Sequence, residues 1–142
     1  MKNVIKTSVS VPILIYNEMV SLMADLSMNN KSKFISNAIS NYVSQMKWRL
    51  SKGEIAGVLM LAYYHERSTM LKRLMEVQHD FIDIIKSSIH FHLTKDLCFE
   101  IVGVVGRVER VKELISEMSR IEGICKFQVA FISIDEILKG SD

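Results

Sequence analysis

A chain of 142 residues, 49% of them hydrophobic, is long enough for one ordinary domain or two small ones with packed cores. One proline, six glycines and no low-complexity tract exclude a long flexible linker, so any domain boundary is abrupt. The N-terminus has no apolar signal core and no apolar run approaches the roughly 20 residues of a membrane span, so a cytoplasmic protein with no membrane partner is expected. Residues 1–50 hold six Lys/Arg against two Asp/Glu, a net of +4, while the remainder holds 12 against 14, a net of −2. An anionic partner is therefore expected for the first part only.

In chain order, Lys6 to Val11 alternates with period two, setting Thr7, Val9 and Val11 on one face and Lys6, Ser8 and Ser10 on the other. Pro12 marks the change from strand to helix. Ile15, Met19, Leu22 and Leu26 recur at helical spacing, Met28-Asn29-Asn30 breaks the pattern, and Ser32 is placed to cap a second helix with Ile35, Ala38, Ile39, Tyr42 and Val43 on its apolar face. One strand and two helices leave a strand edge unpaired, and the same strand from a second chain would pair it. The resulting two-stranded ribbon would present Lys6, Ser8 and Ser10 twice on a surface that fits the DNA major groove.

From Gly53 the pattern changes. Ile55 to Tyr64 is uncharged and nearly all apolar, which predicts a buried strand. Met70, Leu71, Leu74, Met75 and Ile82 predict a helix from about Ser68 to Ile85 that carries His79. Ser87–Leu93 and Leu97–Val105 predict a hairpin around Thr94-Lys95-Asp96. Val108, Val111, Leu114, Ile115 and Met118 predict another helix ending near Gly123, and Ile124–Ile134 a last strand. The order βαββαβ is that of the ferredoxin-like fold, a four-stranded sheet with two helices on one face.

Three of the four histidines and one of the two cysteines fall between Gln78 and Glu100. His90 and His92, two apart on a strand, leave the same face, and a three-residue turn sets His92 opposite Cys98. Two imidazoles and a thiolate then converge on one ion, with a position left for His79 or a residue of another chain. These donor types suit Ni(II), Zn(II), Cu(II) and Co(II) alike. Cys125 is expected to pack, and no nucleophile and base pair points to an enzyme.

Residues 4–46 resemble the ribbon-helix-helix family. The resemblance implies a DNA-reading dimer, with Lys6, Ser8 and Ser10 on bases and the helix start at Asn30-Lys31-Ser32-Lys33 on phosphate. The whole chain, through His79, His90-Phe91-His92 and Cys98, resembles the nickel-responsive regulators (NikR). That resemblance implies an α+β protein: residues 1–50 form a ribbon-helix-helix domain and residues 51–142 a ferredoxin-like, ACT-type metal-binding and oligomerisation domain. It also implies a nickel-dependent transcriptional repressor of an operator. Ni(II) would lie in a square plane of His90, His92, Cys98 and a neighbour's His79, in a tetramer built as a dimer of dimers. His65 falls on a family position associated with secondary metal binding. Lys6 stands where a base-reading arginine is usual, and Lys33 and Asn37 stand where many members carry acids. The alternative from the residues alone is a ferredoxin-like sensor of a small organic ligand such as an amino acid.

Overall fold

The computed structural model describes residues 4–65 and 68–139. The chain forms two compact units that divide between Tyr42 and Val43. In the first, residues 4–12 carry no regular secondary structure and are exposed. A single chain offers that segment no ladder partner, so the strand expected over Lys6–Val11 is not formed here. α1 spans Ile13–Asp25 and follows Pro12, whose missing N–H costs nothing at a helix start. It ends through Ser27, at φ 52°, with Ser27 N–H donating to Ala24 O and Met28 N–H to Met23 O. This paired closure satisfies the last carbonyls of the helix.

α2 runs over Lys31–Met46. Its cap is Asn30, not Ser32: the Asn30 side-chain oxygen accepts the Lys33 backbone N–H at 2.9 Å, the bond that a residue just before a helix is placed to make. No residue of α2 is buried, and Val9, Ile13, Leu14, Ile39 and Tyr42 are also exposed.

The second unit takes the end of α2 and a short 3-10 helix, Lys47–Leu50, and then the elements in the order expected. These are β1 (Glu54–Tyr64), α3 (Ser68–Asp80), β2 (Ile85–His92), β3 (Leu97–Arg107), α4 (Val108–Ser119), β4 (Ile124–Ser133) and a terminal α5 (Ile134–Lys139) that the sequence pattern did not announce. The sheet order is β2-β3-β1-β4 with every neighbouring pair antiparallel. Both β–α–β crossovers therefore skip one strand, which is the ferredoxin-like arrangement.

Alternation along the central strands assigns the faces. Ile55, Leu59, Leu61 and Tyr63 of β1 and Cys98, Glu100, Val102 and Val104 of β3 are buried, and so are Met70, Leu74 and Val77 of α3 and Val108, Val111, Leu114 and Met118 of α4. α3 is shorter than the pattern suggests, and Met75 and Ile82, expected on its apolar face, are exposed while Phe81 and Ile84 are buried in the turn after it. The opposite sheet face leaves Ile89, Phe91 and Ile132 exposed. Cys125 is exposed near the start of β4 rather than packed.

Trp48 fastens the 3-10 helix to the sheet. It is buried, its ring lies 4.9 Å from that of Phe131, and Lys112 donates to the Arg49 carbonyl at 2.8 Å. Replacing a buried Trp by Ala removes both transferred area and packing contacts. Trp48→Ala is accordingly expected to lower stability by about 3–5 kcal/mol, measured by urea unfolding at fixed protein concentration. A loss below about 1 kcal/mol would place Trp48 outside the packed core.

Candidate metal centre

β2 is an edge strand, and its register against β3 sets His92 opposite Cys98 and His90 opposite Glu100. The connecting loop holds that register: Leu93 N–H donates to Leu97 O at 2.8 Å, and Leu97 N–H donates to the Thr94 hydroxyl at 3.1 Å. One potential ligand atom from each of His90, His92 and Cys98 lies within 4.8 Å of the others. Cys98 is fully buried, whereas both imidazoles are exposed, so the donors open toward the outside of the sheet edge.

The Cys98 Sγ lies 3.6 Å from Nδ1 of His92 and 3.4 Å from Nδ1 of His65. The family resemblance gives His65 a secondary metal position, outside the expected ligand set of His79, His90, His92 and Cys98. The structure brings it to the thiol because its backbone N–H donates to the Asp96 carbonyl at 2.8 Å, folding the end of β1 onto the hairpin loop. No pattern within residues 54–65 announces that contact. His79 is exposed on the last turn of α3 and is not one of the clustered donors. Burial, with the Glu100 charge adding to it, pushes the Cys98 thiol up. A divalent ion bound there must displace that proton, because the thiolate is the ligand form. Two imidazoles and a thiolate are the donor set that late first-row divalent ions take, so the residues present fit such an ion.

Beneath the donors lies Glu100, a carboxylate only 6% exposed. Its Oε2 accepts the Tyr63 hydroxyl at 3.0 Å, and its Oε1 accepts Gln78 Nε2 at 2.7 Å and Ser88 Oγ at 2.6 Å. Three donors offset the loss of water around the charge. Burial first, then the Glu100 charge and hydrogen bond, hold the Tyr63 hydroxyl above the usual phenol range, so it stays a donor. The Tyr63 ring in turn stacks on His90, with centroids 6.2 Å apart and planes 17° from parallel. Glu100 thus ties β1, α3 and β2 to the strand that carries Cys98.

The family model described as the NikR C terminal nickel binding domain matches residues 56–132. The chain belongs to the nickel-responsive regulator family. A candidate nickel-responsive regulator of Methanocaldococcus jannaschii is 32% identical over 120 residues, 84% of this chain and 85% of its own length. One of Dictyoglomus turgidum is 29% identical over 134 residues, 94% of this chain and 99% of its own. Among solved structures, the ACT domain from GTP pyrophosphokinase of Chlorobium tepidum covers 54% of this chain and 97% of its own, with 13% identity and a TM-score of 0.42. The nickel-binding family segment of this regulator contains every clustered donor and the Glu100 network. Among its described residues no helix is long and apolar enough to cross a membrane.

Removing a buried acceptor leaves its donors unpaired, which costs more than removing one donor from a shared acceptor. In metal-free protein Glu100→Ala should therefore destabilise by roughly 1–3 kcal/mol, and Tyr63→Phe by less. Urea unfolding of both variants checks the order. Equal stability of Glu100→Ala and the parent would show that the carboxylate contributes nothing net.

Proposed function

We propose that this protein is a nickel-dependent, DNA-binding transcriptional repressor that acts as a homotetramer, a dimer of dimers. The observation that carries the reading is the convergence of His90, His92 and Cys98 at a sheet edge. In this reading those three residues and His79 of a second copy hold Ni(II). The bound ion supplies a cross-link between two chains. The edge position of β2 supports a ligand from outside the chain, since His90 and His92 are exposed there. The nickel assignment rests on the names of the relatives and on the family description, because the donor types alone suit several ions.

The first unit is the DNA reader. Its exposed apolar residues, Val9, Ile13 and Ile39 among them, call for a second copy, and two copies of Lys6–Val11 would pair as a ribbon. Lys6, Ser8 and Ser10 then meet base edges, while Lys31, Ser32 and Lys33 meet phosphate. All six side chains are exposed. The exposed apolar face of the sheet, with Ile89, Phe91 and Ile132, joins dimers into the tetramer. The ion can favour the operator-binding arrangement only by its differential affinity for the two arrangements.

Two outcomes follow. His90→Ala, His92→Ala and Cys98→Ala should each lose tight stoichiometric nickel binding in calorimetric titration while keeping the fold, and parental affinity in any two would remove the site. Alanine at Lys6, Ser8 and Ser10 together should abolish preference for the operator over random DNA in mobility shifts, leaving salt-sensitive, non-specific binding through Lys31 and Lys33. A triple variant that still selects its operator would move the reading surface elsewhere.

A further inference from the structure

We propose that Arg110 is the positioning residue for His79: its guanidinium on α4 locks the last turn of α3 and the turn that follows, holding the outward imidazole in place for a second chain. The inference rests on the metal reading above.

The geometry is specific. The Arg110 Nη2 donates to the backbone carbonyl of Asp80, the last residue of α3, at 2.7 Å. Carbonyls in a helix's final turn have no partner within the helix, and a cation there also meets the negative end of the helix dipole. The same guanidinium grips both Asp83 carboxylate oxygens, Nε and Nη2 each at 3.2 Å, and its Nη1 reaches Glu113 at 3.1 Å. It lies 4.0 Å above the ring of Phe81, which is buried. One side chain thus joins the Asp80 backbone carbonyl to the Phe81 ring and the Asp83 carboxylate, immediately after His79. The Arg110 hydrogen bond holds the Asp83 carboxyl below its usual range, as a partner in that grip.

His79 needs such support. It is exposed, makes no side-chain hydrogen bond to another described residue, and sits where an uncapped helix frays. His90, His92 and Cys98 are held by the hairpin register and do not depend on this turn. Arg110 therefore acts on one of four ligands and spares the other three. Lysine would supply the charge without the fork that spans Asp83 and Asp80 together.

The test uses the full-length protein, nickel chloride as probe, calorimetry, thiolate-to-nickel absorption, and amide hydrogen exchange of the metal-free protein. Arg110→Ala is expected to speed exchange at residues 78–82 and to weaken nickel binding about 10- to 100-fold, the usual effect of losing a residue that orients a ligand. The thiolate band should persist, because Cys98 is untouched. His79→Ala should weaken binding comparably, and the double variant should lose nothing further, since both changes remove one ligand. Arg110→Lys should recover only part of the loss. If Arg110→Ala fails to fold, Asp83→Asn carries the same comparison. Parental nickel affinity in Arg110→Ala, or multiplicative losses in the double variant, would overturn the inference alone. A parent that binds no nickel would overturn the metal reading and the inference with it.

Discussion

The β2–β3 hairpin pairs His92 with Cys98 and His90 with Glu100, and a slip of one residue would turn these side chains to the other face of the sheet. Burial opposes that slip. Cys98, Glu100, Val102 and Val104 are buried on the helix-covered face, and Phe99 and Ile101 alternate with them on the other. The loop bonds from Leu93 and Thr94 to Leu97 close the hairpin in the same register. Donor convergence is therefore a by-product of how the core packs.

The same strand shows how a charge can be buried beside a metal-competent thiol. Glu100 would be costly among apolar side chains, but Tyr63, Gln78 and Ser88 supply three hydrogen bonds from three different elements. Burial, with the Glu100 charge adding to it, holds the Cys98 thiol protonated, and a cation bound there would have to displace that proton. Gln78 precedes His79, so the carboxylate reaches toward the inner side of the helix end that Arg110 grips from α4. The position of His79 is thus set from both directions.

Much of this was legible in the sequence, for physical reasons that can be named. Period-two alternation and a short polar turn were enough to place His92 opposite Cys98. Helical spacing picked out Val108, Val111, Leu114 and Met118, all of which are buried. What escaped depends on long-range contacts. α3 stops at Asp80, short of the expected Ile85, where a residue 30 positions away accepts the task of capping its end. His65 reaches Cys98 through a backbone bond to Asp96, which no local pattern encodes. Glu100 is one polar residue in an apolar strand, and its three donors come from β1, α3 and β2, which local pattern does not bring together. Cys125 departs from expectation because a cysteine at the start of an edge strand reads the same as one in a core strand. The segment Lys6–Val11 has no ladder partner among the described residues, and a strand forms only where its backbone groups are paired.

X-ray absorption at the nickel K-edge of the purified, nickel-loaded protein tests the central claim most directly. The account predicts one sulfur and nitrogen donors with imidazole scattering in the inner coordination sphere, and loss of the sulfur in Cys98→Ala. A sphere of oxygen and nitrogen alone in the parent protein, unchanged in that variant, would contradict it.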